Sequence, residues 1–462
     1  MKKRSISHFN LPNKKWNIVE DSLLYRIVKD KEDTIYKKIY SFDLDNTLIL
    51  SRTYFKPAQN EYDYIFYSDN VIEFLKKKYS ENYKIIIFSN QKGVSTGKIS
   101  LLNIINRFDN IIDKIGIPLE CYLALKNDKY RKPRIGMYNF AKQNNNHEIE
   151  EIIYVGDNAN RIYDDNFKMI FINHLKYIYA KNNVKINIDE IYKKLKKDYT
   201  DTDLKFALNI NATFYTPEEL FLNLKNDIST NFSFEPRNLT KNVENINEFP
   251  YFIDQNKNEK KNEEKNEEKN EEKIDDIIGK EKKDIIPEFT KKNSKENDCQ
   301  KLIILIGPPG CGKTFLCKNY FPYFIKISTI ELKTKSKCLE ALKESIIQGK
   351  SVIIDNVNKS VNDRLIYINE AKKINKNIKI EAIYFNYPKD LVFHLNAFKL
   401  ITDKLNEIKD IPTISIHAFY KYVEDPTPKE NYDKIIILNE KNFVPSKFEN
   451  EEQKRLFFLY LN

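Results

Sequence analysis

The chain has 462 residues, 41% of them hydrophobic, which is too long for one ordinary core and predicts two or three domains. Lys and Arg number 77 against 67 Asp and Glu, and the resulting net charge of +10 weakly favours a polyanionic partner. The five cysteines lack the close pairs of a zinc site and are odd in number, so we expect neither structural zinc nor structural disulfides. No uncharged apolar stretch is long enough to span a bilayer, so we expect no membrane association.

The first half of the chain alternates between two patterns. The apolar runs at 83–88 and 152–155 are typical of parallel strands that are covered on both faces. The segments 71–79 and 99–115 place apolar residues at helical spacing. This alternation predicts an α/β domain with a doubly wound sheet.

A charged segment interrupts the alternation after residue 237. It contains repeated Lys-Asn-Glu-Glu units up to Lys273, and such a sequence cannot bury enough apolar surface to offset its ordering entropy. We therefore expect a disordered or partly helical linker. Apolar strands resume at Lys301, which predicts a second α/β domain. The predicted domains are 1–237, 238–300 as the linker, and 301–462.

The predicted strand at 38–42 ends on two acidic residues, Asp43 and Asp45. A carboxylate at the carboxyl end of such a strand can attack phosphorus if a cation offsets the charge repulsion, and a neighbouring carboxylate can act as acid and base. A lone Asp-x-Asp also occurs in solvated turns and in calcium loops. The calcium interpretation fails because Leu48 and Tyr54 stand where that loop needs Gly and Glu.

Three further polar residues follow later strands or lie just beyond them. Ser89 supplies a hydroxyl, Lys132 a cation and Asp157 a carboxylate for a metal. In this order the chain resembles the four motifs of the haloacid dehalogenase superfamily of phosphatases, which implies Mg²⁺. Asp203 is interpreted as a surface or capping residue, with support of the metal ligands as the alternative. The predicted catalytic residues are Asp43, Asp45, Ser89 and Lys132, and the predicted metal ligands are Asp43, Asp45 and Asp157.

A phosphate-binding loop opens the second α/β domain. Residues 307–314 read Gly-Pro-Pro-Gly-Cys-Gly-Lys-Thr between an apolar strand and a predicted helix, which is the pattern of a P-loop. The backbone of such a loop surrounds the phosphates of a nucleotide such as ATP, and its hydroxyl residue holds Mg²⁺. Asp355, at the end of a later strand, is either a Walker-B-like carboxylate or a turn residue. The predicted nucleotide-binding residues are Gly307, Gly310, Gly312, Lys313 and Thr314.

A phosphatase followed by a P-loop kinase resembles the eukaryotic polynucleotide kinase 3′-phosphatases that repair DNA strand breaks. The resemblance rests on short motifs at 42–48, 87–98, 130–137, 154–161, 206–209, 216–219, 307–314, 348–350, 354–358 and 410–412. It implies hydrolysis of DNA 3′-phosphates through an aspartyl-phosphate, and ATP-dependent phosphorylation of 5′-hydroxyls. About forty residues precede Asp43, too few for the phosphopeptide-binding module of animal members, so we expect none.

The kinase half departs from the family at two places. The family's general-base Asp falls here at Ile330, with Glu331 one position late, and two lid arginines fall at Ala397 and Lys399. We therefore expect ATP binding with weak or absent kinase activity. One alternative is a phosphatase whose C-terminal half is a non-catalytic ATP- or DNA-binding module. Another is a small-metabolite phosphatase fused to an unrelated kinase.

The resemblance also implies partners and a location. We expect binding to DNA with 3′-phosphate ends at nicks, gaps or breaks, to ATP and to repair-scaffold proteins, in a monomer. The nucleus is the predicted location, with a DNA-containing organelle as the alternative. The residues that we expect to contact the DNA strand are Lys92, Lys98, Arg131 and Arg161.

Overall fold

The computed structural model describes residues 11, 14–30, 34–54, 56–145, 147–225, 227–242, 299–403, 411–443, 445 and 448–462. The chain divides into two compact units: the described residues up to Glu235 together with Leu459–Asn462, and Pro236–Phe458. Most of the predicted linker, 243–298, lies outside the described residues. We predicted a second domain of residues 301–462. In the structure Leu459–Asn462 instead belong to the first unit, where Tyr460 and Leu461 are buried.

A seven-stranded sheet forms the centre of the first unit. Its strand order is β1-β2-β7-β6-β3-β8-β9, and the five strands from β7 to β9 in that order run parallel. The strands, including a separate two-stranded β4–β5 ribbon, are β1 (Asn17–Val19), β2 (Leu23–Val28), β3 (Lys38–Phe42), β4 (Ile49–Leu50), β5 (Ile65–Phe66), β6 (Tyr83–Asn90), β7 (Leu119–Ala124), β8 (Glu151–Val155) and β9 (Thr213–Tyr215).

Helices cover this sheet and confirm the predicted alternation. The first-unit helices are α1 (Val71–Ser80), α2 (Leu101–Ile115), α3 (Gly136–Gln143), α4 (Asp165–Lys181), α5 (Ile188–Lys194), α6 (Thr202–Ile210) and α7 (Pro217–Leu222). Ser100 caps the start of α2, and Gly116 ends it in the left-handed conformation. The antiparallel pair β1–β2 was not predicted, because three- and six-residue strands before the regular alternation leave little periodicity to read.

The register of the parallel strands aligns their carboxyl ends. Phe42 of β3 pairs with Ile87 of β6 on one side and with Val155 of β8 on the other. Asp43 follows Phe42 directly, Ser89 lies two residues beyond Ile87, and Asp157 lies two residues beyond Val155. The three residues therefore share one edge of the sheet, where open α/β sheets bind ligands.

The second unit contains a five-stranded parallel sheet of order β11-β12-β10-β13-β14. The strands are β10 (Lys301–Ile306), β11 (Ile325–Ile327), β12 (Val352–Ile354), β13 (Lys379–Phe385) and β14 (Lys434–Leu438). The helices are α8 (Lys313–Tyr320), α9 (Thr329–Leu332), α10 (Lys335–Ile347), α11 (Val361–Ile374), α12 (Lys389–Thr402), α13 (Thr413–Tyr422) and α14 (Glu451–Phe457). The predicted parallel strands are confirmed, and β10 delivers the P-loop from the middle of the sheet. Across the described ranges, no helix is both long enough and apolar enough to cross a membrane.

Candidate active site

The ammonium group of Lys132 lies at the centre of a buried polar cluster at the edge of the first sheet. Its side chain is 2% exposed and donates to Asp43 at 2.6 Å and to Asp203 at 2.7 Å. It also donates to the Tyr154 hydroxyl at 2.7 Å, and that hydroxyl donates to Asp203 at 2.7 Å. Burial lowers the pKa of Lys132, but the charges of Asp203 and Asp43 outweigh it and raise the pKa. Lys132 therefore remains a cation inside the cluster.

Asp43 is a buried carboxyl group in contact with this cation. Burial raises its pKa to about 7 against the attraction of Lys132, and the charges of Asp203 and Asp45 add to the rise. Burial likewise raises the pKa of Asp157 well above its usual range, together with the charges of Asp203 and Asp43. The cluster contains several carboxyl groups but one ammonium group, that of Lys132. An additional cation would therefore be stabilised there.

Three of these carboxylates can share a metal ion. One oxygen atom each of Asp43, Asp157 and Asp203 lie within 4.8 Å of one another, and Mg²⁺ prefers oxygen ligands of this kind. The sequence predicted Asp45 as the third metal ligand, and this stays a prediction; the third carboxylate of the group in the structure is that of Asp203. Gly156 permits the close approach, because a Cβ atom there would lie 2.5 Å from the Cβ atom of Asp203. The residues present therefore fit Mg²⁺.

The Asp45 side chain is held on the solvent side of the cluster. Its Oδ2 accepts a hydrogen bond from the Gln91 amide at 2.8 Å, and the buried Arg107 guanidinium lies 4.0 Å from Oδ1. Gln91 also donates to the hydroxyl of Ser89 at 2.9 Å, while its oxygen accepts from Arg107 at 3.4 Å. The amide thus links Asp45 to Ser89. A carboxylate that is 44% exposed can exchange protons with solvent and with a ligand.

A second buried network orients the loop that carries Asp157. Arg161 donates Nε to Asp198 at 2.8 Å and Nη1 to Glu218 at 2.7 Å, and its Nη2 binds the Asp157 carbonyl oxygen at 2.8 Å. The prediction that Arg161 contacts a DNA strand is wrong, because its side chain is buried within these ion pairs. Its guanidinium instead binds the backbone of the loop that carries Asp157.

The P-loop of the second unit lies between β10 and α8, at the carboxyl end of a central strand. Lys313 is buried and donates to the carbonyl oxygens of Gly307 and Pro308 at 2.8 and 2.7 Å. The Thr314 hydroxyl donates to Asp355 at 2.7 Å, which is the arrangement of the hydroxyl and carboxylate around a nucleotide-bound Mg²⁺. The residues thus fit a Mg²⁺–nucleotide.

Gly310 has a steric role in this loop. Its φ is +84°, and a Cβ atom there would lie 1.8 Å from the Asn396 side chain of α12. The side chain of Asn396 thus places a neutral amide group against the P-loop. The neighbouring Ala397, one of the expected arginine positions, is 4% exposed and lies in the core. Lys404–Asp410, which include Asp410 of the resemblance motif, lie outside the described residues.

The expected position of the kinase base also lacks an acid. Ile330 is 77% exposed and lies in the short helix α9 that follows β11. The adjacent Glu331 forms an ion pair with Lys326. The carboxylate next to the expected base position is thus held by a lysine side chain.

The sequence reasoning missed or underrated several site residues. Gln91 lies within the resembling motif at 87–98 but was assigned no role. Arg107 has no distinctive spacing, and only the fold brings its helix to the sheet edge. Asp203 was interpreted as a surface or capping residue, with support of the metal ligands as the alternative, because its place in the first turn of α6 is typical of capping. The surface interpretation is wrong, since Asp203 is 1% exposed. The detectable signal was its position three residues before Phe206-Ala207-Leu208-Asn209, within the resembling motifs.

Comparisons with known proteins agree with this geometry. A protein of Schizosaccharomyces pombe (strain 972 / ATCC 24843), described as a bifunctional polynucleotide phosphatase/kinase, is 27% identical over 425 residues, covering 91% of this chain and 83% of its own. One of Acanthamoeba polyphaga mimivirus, provisionally described in the same words, is 29% identical over 465 residues, covering 96% of this chain and 94% of its own. An uncharacterized 20.8 kDa protein of Autographa californica nuclear polyhedrosis virus is 32% identical over 192 residues, covering 41% of this chain and 88% of its own.

A family model described as Polynucleotide kinase 3 phosphatase matches residues 38–221. The match begins at the strand that delivers Asp43 and continues past α6, so it includes every side chain of the buried cluster around Lys132. Together with the similarity over most of the chain, this match shows that the chain belongs to the polynucleotide kinase 3 phosphatase family.

Proposed function

We propose that the first unit removes 3′-phosphate groups from DNA ends at nicks, gaps or breaks, through a covalent phosphate on Asp43. The observation that carries this proposal is the convergence of Asp43, Lys132, Asp157 and Asp203 at one sheet edge. A carboxylate can attack a phosphate dianion only where positive charge offsets the repulsion. Lys132 supplies one such charge. Mg²⁺ held by the three carboxylates would supply the other and polarise the phosphoryl oxygens.

The remaining side chains complete the chemistry in two steps. In the first, an Asp43 oxygen bonds to phosphorus, the bond from phosphorus to the 3′-oxygen breaks, and Asp45 gives that oxygen a proton. In the second, Asp45 takes a proton from water, which attacks phosphorus and releases inorganic phosphate from Asp43. Lys132 and Ser89 bind phosphate oxygens in both steps. The amide of Gln91 keeps Asp45 and Ser89 facing the same space.

The surroundings of the site suit a single DNA strand. Tyr199 is 97% exposed on the segment that Asn158 anchors beside Asp157, through hydrogen bonds to Thr200 at 3.2 and 3.1 Å. A fully exposed aromatic ring beside a phosphate site is a stacking surface for a base. Arg131 precedes Lys132 and keeps a buried guanidinium nitrogen without a hydrogen-bond partner. A backbone phosphate could bind this nitrogen only after the side chain moves to expose it.

For the second unit we propose binding of Mg²⁺–ATP, with phosphorylation of DNA 5′-hydroxyls as the associated activity, weak or lost in this chain. A non-catalytic ATP- or DNA-binding module is the second candidate. The observations that favour it are the exposed Ile330 and the lysine-paired Glu331 at the expected base position. We further propose that the protein acts as a monomer with repair-scaffold partners, in the nucleus or in an organelle that contains DNA.

One assay tests the phosphatase. The full chain, Asp43→Asn and the surface control Asp165→Asn are incubated with Mg²⁺ and nicked DNA that bears a 3′-phosphate, and released phosphate is measured. We expect the full chain and the control to release phosphate, and Asp43→Asn to release none. Equal release by Asp43→Asn would reject the proposed nucleophile. A matched RNA substrate establishes whether the enzyme prefers DNA.

A further inference from the structure

Residues Leu459–Asn462 belong to the first unit, and the first three of them are buried. The side chains of Tyr460 and Leu461 are almost fully buried. The Tyr460 ring packs edge-on against Phe232, with ring centroids 5.1 Å apart, and its hydroxyl donates to Glu235. The segment therefore belongs to the core of the phosphatase unit, although more than 200 residues separate it in sequence from the rest of that unit.

Helix α6 binds the backbone of this segment. The Asn209 side chain accepts from the Tyr460 amide at 2.9 Å and donates to the Tyr460 carbonyl oxygen at 2.7 Å. One turn earlier, Lys205 donates to the Asn462 carbonyl oxygen at 2.9 Å. Residues four apart lie on the same helix face, so this face of α6 recognises an extended main chain.

The same contacts reach the loop that carries Lys132. The Asn209 amide also donates to the Pro133 carbonyl oxygen at 2.9 Å. The next residue, Arg134, is buried and donates Nε to the Leu461 carbonyl oxygen at 3.1 Å. Pro133 is thus bonded to the Asn209 amide that holds the segment, and Arg134 is bonded to the segment itself.

Removing the segment would take away hydrogen bonds from two side chains that hold this loop. The oxygen of Asn209 and the Nε of Arg134 would each lose a buried hydrogen bond to Tyr460 and Leu461. A side chain that loses a buried hydrogen bond reorients or binds water instead. Because the Lys132 ammonium is positioned at Asp43 from this loop, a small displacement of the backbone changes the geometry of the reacting groups.

We infer that residues 459–462 are a positioning segment for the phosphatase site, which holds the Lys132 loop through Asn209 and Arg134. This inference rests on the proposed function only in assigning Lys132 to phosphate binding. The segment acts through Lys132 and touches no reacting atom, so its loss slows the chemical step more than it weakens binding of the nucleic acid.

Two variants test the inference in the full protein. One is a chain that ends at Phe458. The other is Asn209→Asp, which keeps the size of the side chain but places an oxygen against the carbonyl oxygens of Pro133 and Tyr460. Lys454→Ala, on the exposed face of α14 where it pairs with Glu451, is the matched control. Circular dichroism confirms that each variant is folded before it is assayed.

The first readout is steady-state hydrolysis of a 3′-phosphorylated oligonucleotide. We expect kcat to fall about 10- to 100-fold in both variants, with KM changed less than about threefold, and no change in the control. The second readout is hydrogen exchange of the backbone amides at 129–136. We expect exchange there to be at least about tenfold faster in both variants. A folded variant with wild-type kcat, or with unchanged exchange at 129–136, would overturn the inference.

Asp43→Asn in the same assay separates the two proposals. If the wild-type chain is no more active than Asp43→Asn, the proposed phosphatase function fails, and hydrogen exchange alone then decides whether the segment holds the loop. If the wild-type chain is active and both folded variants match it, only the positioning role is rejected.

Discussion

The carboxylate of Asp203 and the ammonium group of Lys132 lie 2.7 Å apart in the interior of the first unit, although 71 residues separate them in the chain. The pair aims the lysine at Asp43, whose carboxylate lies 2.6 Å from the same nitrogen. Asp203 also accepts the hydroxyl of Tyr154 and belongs to the carboxylate group that fits Mg²⁺. One side chain therefore links the Lys132 ammonium group to the proposed metal site.

Asp203→Asn tests this link. The variant keeps the shape of the side chain but removes the charge that Lys132 and a metal would share. We expect the Mg²⁺ concentration needed for half-maximal phosphate release to rise about 10- to 100-fold. A titration of activity with MgCl₂ measures the change, with Asp165→Asn on the exposed start of α4 as the control. An unchanged Mg²⁺ requirement would exclude Asp203 from the metal site.

The raised pKa of Asp43 predicts a pH dependence of stability in the metal-free protein. Its ordinary pKa is 3.8 and its folded value is about 7, so between these values the folded state binds more protons than the unfolded chain. The contribution of Asp43 to the free energy of unfolding therefore falls as the pH rises through this window.

Thermal unfolding in EDTA measures this contribution. We expect Asp43→Asn to become more stable relative to the wild type as the pH rises from about 5 to about 8, because the variant avoids burying a charge. Adding Mg²⁺ should stabilise the wild type more at the higher pH, since its ligands must be deprotonated. A difference between the two proteins that is independent of pH would contradict the raised pKa.

Lys313→Ala tests the nucleotide site. We expect the affinity for ATP to fall about 10- to 100-fold, because a hydrogen bond to a charged group contributes about 1.5–3 kcal/mol. Equilibrium dialysis with labelled ATP measures the affinity, and Lys318→Ala, an exposed lysine of the same helix, is the control. Release of 3′-phosphate should be unchanged in both variants. Wild-type ATP binding by Lys313→Ala would mean that the loop does not hold the phosphates.

Ile330→Asp tests why the kinase is expected to be weak. If the missing carboxylate is the limiting factor, the substitution should raise phosphate transfer from ATP to a DNA 5′-hydroxyl by about 10²- to 10⁴-fold. Ile330→Asn is the matched control, because it has the same shape without a base. Equal transfer by the two variants would show that the deficit lies elsewhere, with the lid position of Ala397 as the next candidate.

Tyr199→Ala tests the proposed stacking surface. Loss of the ring should weaken binding of a 3′-phosphorylated oligonucleotide by about 1–3 kcal/mol, which is the value of stacking one base on an aromatic side chain. Tyr199→Phe should bind like the wild type. Hydrolysis of p-nitrophenyl phosphate, which has no nucleic-acid strand, should be unaffected in both variants. A similar loss on both substrates would mean that Tyr199 supports the site instead of contacting DNA.

Much of the fold could be predicted from local patterns. The apolar runs of β6 and β8 and the helical spacing of α2 identified the alternating architecture, and the P-loop was readable because its glycines, lysine and threonine are consecutive. The antiparallel β1–β2 pair was not predictable, because such short strands are stabilised by their neighbours more than by their own pattern.

The sequence by itself determined the residues whose chemistry depends on short spacing: Asp43 with Asp45 after one strand, and Lys313 with Thr314 in one loop. Only the tertiary structure decided which distant groups complete these sites. It placed Asp203 beside Lys132, buried Arg161 in ion pairs instead of exposing it, and brought Tyr460 to the helix that supports the Lys132 loop. Charge pairing and burial depend on distances across the folded chain, and no local pattern of residues encodes those distances.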